Sequence, residues 1–280
     1  MRKINSDIIK EKVKELCLKA NVSLPEDVEK SLRDACDNET SCLGKYALDV
    51  LKENMDIAKE KQIPLCQDTG MVIVFLEIGQ DIVVEGELIN DAVNEGIRQS
   101  YDEGFFRKSV VDDPILRQNT KDNTPAVIYT DIIAGDKIKI SIMPKGFGSE
   151  NMGRIFMLKP SDGVEGIKDC VVKAVIEAGP NPCPPLILGV GIGGTMEKAG
   201  MLSKKALLRK IGDYNSFSHI KDLEQELLEL VNKTNVGPEG LGGDTTAFAV
   251  NVEVYPTHIA GLPVAISFAC NCARHVEVII

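Results

Sequence analysis

A chain of 280 residues with 44% hydrophobic and 26% charged residues has ordinary globular composition. Its formal net charge of −10, with no basic block, argues against nucleic acid as a partner, because that needs clustered Lys and Arg to displace counterions. No run approaches the roughly 18 apolar residues of a membrane span, and the N-terminus has no continuous apolar core of a secretory signal, so a cytoplasmic protein that does not enter membranes is expected.

The opening "MRKINSDIIKEKVKELC" places Ile8, Ile9, Val13 and Leu16 at helical spacing, with Ser6 as the expected cap. "SLPEDVEKSLRDAC" sets Ser23 ahead of Pro25 and Glu26, a helix start. "YALDVLKENMDIAKEK" gives a third helical pattern, so residues 6–60 are expected to be helical. A loop, "QIPLCQDTG", then leads into the β-branched strand "MVIVFLEIG", and "LINDAVNEGIRQSYDEGF" returns to helical period.

"AVIYTDIIAGDKIKISIMPKG" has two strand patterns around a turn at Ala134–Asp136 and predicts an antiparallel hairpin. "GVEGIKDCVVKAVIEAG" predicts a helix stopped by Gly179 and Pro180. "PLILGVGIGG" is a short strand and glycine loop, residues 195–211 and 221–233 are helical, and "TAFAVNVEVYP", "LPVAISFAC" and "HVEVII" are strands. The last of these completes the domain's own sheet or lies near a subunit interface. Antiparallel strands with segregated helices predict an α+β fold, in which a helical N-terminal region, residues 1–60, leads into a mixed, largely antiparallel sheet. No linker divides the chain, so residues 1–280 are expected to form a single domain.

Eight cysteines need sorting. In a reducing compartment they are not expected to form a disulfide framework. Cys17, Cys36 and Cys170 lie in helical patterns and Cys42 near a helix start, which suits small core or boundary residues. Cys66, Cys183 and Cys270 differ. Each sits in a loop at the end of an element, Cys183 between prolines in "GPNPCPPLIL" and Cys270 in "FACNCARH". Zinc sites usually use paired C-x₂₋₄-C ligands, which are missing here. Spread single cysteines can supply an iron–sulfur cluster, and three ligands would leave one iron open as a Lewis acid. Buried thiols or an isolated nucleophile remain the alternatives at this point.

The segments "PLCQDTG", "LRQNTKDNTPAV", "MPKGFGSENMGR", "GPNPCPPLILGVGIGGTMEKAGMLSKKALLR", "GPEGLGGDTTAFAVNVEVYPTHIAGLPVAIS" and "CNCARH" together resemble the α subunit of iron–sulfur class I fumarate hydratases and related L-tartrate dehydratases. The resemblance runs from about residue 40 to the end, with the motifs in order. It implies an oxygen-sensitive 4Fe–4S cluster on Cys66, Cys183 and Cys270. Cys272 competes with Cys270, but the family's pattern places its cysteine four residues before the Arg-His pair, as Cys270 stands to Arg274. It further implies a separate β subunit that completes the active site, and a small dicarboxylate substrate, fumarate/malate or tartrate. Fumarate hydration is the favoured activity and tartrate dehydration the second.

Within that frame Gln67 and Asp68, next to Cys66, are implied substrate groups, and Asp68 a candidate acid–base group; otherwise Asp68 and Thr69 shape a turn. Arg107, in "FFRKSVV", matches the family's substrate arginine, since a guanidinium binds carboxylate bidentately. Gly146 and Gly148 in "PKGFGSEN" bring backbone N–H groups near an anion. Arg274 and His275 are expected as supports of cluster or substrate. His219 and His258 are taken as structural or exposed, and "GPEGLGGDTTAF" has no assigned chemistry.

Two rivals remain. "GVGIGG" at 189–194 satisfies G-x-G-x-x-G and has an acid, Asp213, about twenty residues on, which suits an NAD-dependent dehydrogenase. Yet "KIGDYNSFS" offers no second strand for that acid, so the glycines are read as close helix packing. A non-catalytic iron–sulfur scaffold would keep the cysteines without needing Asp68 or Arg107.

Overall fold

The computed structural model describes residues 1–280. In chain order its elements are β1 (Arg2–Asn5), α1 (Ser6–Val22), α2 (Glu26–Asn38), α3 (Cys42–Lys61), β2 (Met71–Gly79), β3 (Ile82–Glu85), α4 (Ile89–Glu103), β4 (Val127–Ile133), β5 (Ile138–Lys145), α5 (Phe147–Glu150), β6 (Arg154–Leu158), α6 (Gly163–Ala178), β7 (Leu186–Gly193), α7 (Met196–Ala206), α8 (Ser218–Asn232), β8 (Ala247–Tyr255), β9 (Leu262–Ala269) and β10 (Val276–Ile279). This is an α+β fold with mixed sheets, as the sequence implies. The chain divides into two compact units. The first comprises Met1–Pro25, Met55–Phe147 and Arg274–Ile280; the second comprises Glu26–Asn54 and Gly148–Ala273.

The first unit holds a four-stranded sheet in the order β10-β5-β2-β4. Successive side chains of a strand point to opposite faces. Val72, Val74 and Leu76 of β2 therefore share one face, where they meet Ile138, Ile140 and Ile142 of β5. Ile9 and Val13 of α1 and Val93, Ile97 and Tyr101 of α4 close this core. The terminal strand β10 pairs antiparallel with β5 and completes this unit's sheet. Strands β1 and β3 form a separate parallel pair. Both are four residues long and too short to show a period. β1 also displaces the expected helix cap: Asn5 caps α1 by accepting from the Asp7 amide at 2.8 Å, while Ser6 Oγ accepts from Glu87 N at 2.9 Å.

The expected hairpin between 127–133 and 138–145 does not form. β2 lies between the two strands, parallel to β4 and antiparallel to β5. The turn is real, but it crosses the end of β2: Gly79 N donates to Lys137 O, Gln80 N to Ile133 O and Asp81 N to Gly135 O, all at 2.8–2.9 Å. The strand buried in five consecutive positions takes the centre, because a continuous apolar run needs cover on both faces.

The second unit is built on the sheet β6-β9-β7-β8. Leu186, Leu188, Val190 and Ile192 of β7 face a core with Val171 and Val175 of α6 and Leu223, Leu227 and Val231 of α8. The other face of β7 carries Gly189 and Gly191, and α7 packs on it. The fold also contains the short strand β6, which sequence period did not resolve.

Candidate active site

Residues 66–70 are the sharpest local feature of the first unit. Three consecutive carbonyls of this loop each receive a donor from elsewhere in the unit. Arg274 Nη2 donates to the carbonyl of Asp68. Tyr101, on α4, donates its phenol to Thr69 O at 2.5 Å and approaches Gly70 O at 3.2 Å. Asn123 Nδ2 donates to Gly70 O at 3.0 Å. A loop with its backbone acceptors taken this way has few alternative conformations.

The Asp68 carboxylate is aimed by two backbone amides. Gly70 N donates to Oδ1 at 3.0 Å and Phe147 N to Oδ2 at 2.8 Å. A Cβ on Gly146 would lie 3.2 Å from Oδ2, so the bare glycine lets the "PKGFG" backbone approach this carboxylate. Thr69 Oγ1 donates to the carbonyl of Arg107 at 2.8 Å, and Asn123 Oδ1 accepts from Ser109 N at 2.8 Å. The segment after α4 is thereby tied to the Asp68 loop. Asp68, Arg107 and Gly146 thus belong to one hydrogen-bonded neighbourhood, with Cys66 and Gln67 next to Asp68 in the chain and Gln67 and Arg107 exposed.

Two cationic side chains are buried in this neighbourhood alongside the Asp68 carboxylate. Lys145 is 3% exposed and donates to Gly146 O at 3.1 Å. Arg274 is 5% exposed, its Nε reaches Pro144 O at 3.3 Å, and its Nη1 is buried with no hydrogen-bond partner. A buried guanidinium without a carboxylate is costly unless an anion joins it. The arrangement suits an acidic ligand.

The second unit contains Cys183, Cys270 and Gly148. Cys183 is exposed and Cys270 half-buried, and neither is in a disulfide. Asn271 brings their loops together: its backbone N and its Nδ2 both donate to Cys183 O at 3.0 Å. The thiol of Cys272 donates to Asn271 Oδ1 at 3.2 Å. Glu239 accepts from Asn271 Nδ2, and its carboxyl is pushed up by burial and by the neighbouring Cys270 thiol, against the Asn271 hydrogen bond. A Cβ on Gly148 would meet only Asn181 O, at 3.5 Å. Within either unit taken alone, no three His, Cys, Asp or Glu side chains are grouped to hold a metal ion. The donor set nevertheless suits an iron–sulfur group in kind: Cys66, Cys183 and Cys270 are thiols outside any disulfide, on loops held by the surrounding backbone, whereas Cys17 and Cys36 are buried in packing.

The glycine motif at 189–194 is not a phosphate loop. Residues 189–193 lie inside β7 and are buried. A Cβ on Gly189 would stand 2.0 Å from Ser203 O, and one on Gly191 2.0 Å from Ala199 O. These glycines let the backbone of α7 press onto the strand. His219 and His258 are exposed, as expected.

Sequence reasoning missed Tyr101, Asn123, Glu239 and Asn271. Tyr101 was hidden in an amphipathic helix, where an aromatic at a core position looks like packing. Asn123 and Glu239 carried a signal: each sits inside one of the distinctive motifs, "KDNTPAV" and "GPEGLGG", at a residue held at positive φ, 63° and 52°.

The family description "Fumarate hydratase (Fumerase)" matches residues 10–279. A Methanocaldococcus jannaschii protein named "Putative L(+)-tartrate dehydratase subunit alpha" is 46% identical over 272 residues, covering 95% of each chain. Proteins named "L(+)-tartrate dehydratase subunit alpha" from Escherichia coli strain K12 and Shigella sonnei are 32% identical over 254 residues, covering 90% of this chain and 84% of theirs. These matches span nearly all of both units, and the chain belongs to the fumarate hydratase (fumerase) family.

Proposed function

We propose that this chain is the α subunit of a 4Fe–4S hydro-lyase that adds water reversibly to fumarate, giving (S)-malate. The observation that carries the reading is the fixed carboxylate of Asp68, two residues from Cys66 and tied through Thr69 to Arg107. Cys66, Cys183 and Cys270 would hold the cluster. When bound, the cluster supplies an open Lewis-acidic iron for a substrate hydroxyl and carboxylate.

The chain's own residues do the rest. Asp68 is held by two amide donors in a fixed direction, so it can exchange a proton at the substrate carbon without rearranging. Arg107 offers a bidentate fork to the remote carboxylate. Gln67 orients the substrate by hydrogen bonding, and the Gly146 and Gly148 backbone contributes N–H groups. A separate β subunit completes the site; the "subunit alpha" names of the relatives support this. Eight cysteines, none in a disulfide, suit a reducing, cytoplasmic setting, and no helix is long and apolar enough to cross a membrane.

A second reading, dehydration of L-tartrate to oxaloacetate, rests on the names of those same relatives. Both substrates are four-carbon dicarboxylates. Anaerobic co-purification with the β subunit, followed by parallel assays on fumarate, malate and L-tartrate, decides between them. Turnover of fumarate at least about tenfold more efficient than of tartrate, a difference of about 1.4 kcal/mol, supports the first. The reverse ratio establishes the second, and inactivity on all three overturns both.

A further inference from the structure

The glycine-rich segment 235–246 has no role in the chemistry above, yet it is anchored with unusual thoroughness. The carboxylate of Glu39, 6% exposed, accepts from the amides of Asp244 at 2.9 and 3.0 Å, Thr245 at 3.0 Å and Ser41 at 3.0 Å. Gly237 N donates to Thr246 Oγ1 at 3.0 Å, and Gly243 N to Asn235 Oδ1 at 2.9 Å. A Cβ on Gly240 would fall 2.4 Å from Pro180 Cβ, so this glycine lets the segment reach the start of the Cys183 loop.

What the segment presents there is Glu239. Its backbone N donates to Pro184 O at 2.8 Å, and its carboxylate accepts from Asn271 Nδ2. That same Nδ2, together with the Asn271 amide, holds Cys183 O. The carbonyls of residues 183 and 184 are thus taken by the two residues 271 and 239, and residue 271 is the next in chain after Cys270. Both Cys183 and Glu239 are held at positive φ, 55° and 52°. Such backbone is unfavourable for a side-chain-bearing residue and persists where surrounding contacts over-determine it.

We propose that Glu239 and Asn271 are positioning residues that lock the Cys183 and Cys270 loops into one register, so that the two thiols are presented as a pair before any metal arrives. The inference rests on the reading of these two cysteines as cluster ligands. It explains why the segment needs glycine for close approach and Glu39 for anchorage: a strained glutamate can hold a fixed place only if the loop carrying it is itself fixed.

The test uses the metal-free full-length chain and phenylarsine oxide, whose arsenic bonds two neighbouring thiols with release of one water. Cys272→Ser serves as the parent, so that Cys272 cannot act as the second thiol. Mass spectrometry under monothiol competition reads retention of the arsenical, and thermal melts check that each variant is folded. The parent is expected to retain one arsenical, and a further Cys183→Ser or Cys270→Ser change to release it. Glu239→Ala, which loses one charge-assisted hydrogen bond, and Asn271→Ala, which loses that bond and the one to Cys183 O, should each weaken retention by at least about tenfold. Glu239→Gln keeps a carbonyl acceptor for Asn271 and should recover to within about threefold. That recovery is not expected of a merely destabilised fold. If an alanine variant unfolds, the contrast between parent and Glu239→Gln, with amide exchange at Asn271, carries the comparison. The proposal is overturned if the parent retains no arsenical, if folded alanine variants retain it like the parent, or if Glu239→Gln is as weak as Glu239→Ala. Retention by the parent with no iron uptake by the intact protein would instead sink the cluster reading and leave the positioning role standing.

Discussion

The phenol of Tyr101 donates to the carbonyl of Thr69 at 2.5 Å, from a residue wholly buried in the core of the first unit. Its ring is packed edge-on against Phe106, with centroids 5.5 Å apart. A core helix thereby fixes the loop that carries Cys66, Gln67 and Asp68. Tyr101→Phe keeps the packing and removes the donor. It is expected to cost about 1–3 kcal/mol, since a buried carbonyl is left without its partner. Denaturant unfolding measures the cost, and amide exchange at residues 68–70 should accelerate with it.

Asp68→Asn keeps the size of the side chain and one accepting oxygen, and leaves one of the two backbone amides, Gly70 N or Phe147 N, facing an NH2 group instead of an acceptor. It cannot take up a proton. Turnover is expected to fall by at least about 100-fold, the lower range for loss of an acid–base group, with iron content unchanged and the melting temperature lowered only modestly by the lost amide contact. Activity surviving this change removes Asp68 from proton transfer.

Gly191→Ala would place a methyl 2.0 Å from Ala199 O and 2.6 Å from Ser203 N. Both are backbone atoms of a packed helix and cannot give way cheaply. A loss of about 3 kcal/mol, the upper range for overpacking, is expected in equilibrium unfolding. Calorimetry with NAD should give no binding heat, because the glycines are filled by α7.

The Cys17 thiol is pushed by burial from its ordinary 9.0 up to about 12, against a hydrogen bond from Ser100. The folded state therefore keeps this proton when the unfolded chain has released it. The stability it contributes is full below pH 9 and is lost as pH rises toward about 12. The slope at high pH is about 1.4 kcal/mol per unit for one such group. Cys17→Ala should reduce that slope by about this amount in denaturant titrations. Iodoacetamide at neutral pH should label the exposed Cys42 and Cys183 well before Cys17.

The strand "MVIVFLEIG" was legible to the residue, because a run of apolar and β-branched residues lies between turn signals. The pairing of its neighbours was not. A turn at 134–136 licenses a hairpin locally, and only the tertiary preference for burying β2 at the centre puts it between the two strands. The same division holds at the site. Asp68 was visible because a carboxylate beside a loop cysteine is unusual chemistry. Tyr101 and Asn271 act through backbone carbonyls far along the chain, a role that no local pattern encodes. Glu239 fell between, set among glycines whose purpose is visible only against Pro180 and Glu39.

The central claim is that Cys66, Cys183 and Cys270 hold one 4Fe–4S cluster, and the direct measurement is iron and acid-labile sulfide in the protein purified anaerobically with the proposed β subunit. About four of each per α chain are predicted, with Cys66→Ser, Cys183→Ser and Cys270→Ser each losing the cluster and Cys272→Ser keeping it. Absence of iron after reconstitution, or a cluster that survives Cys270→Ser but not Cys272→Ser, would contradict the account.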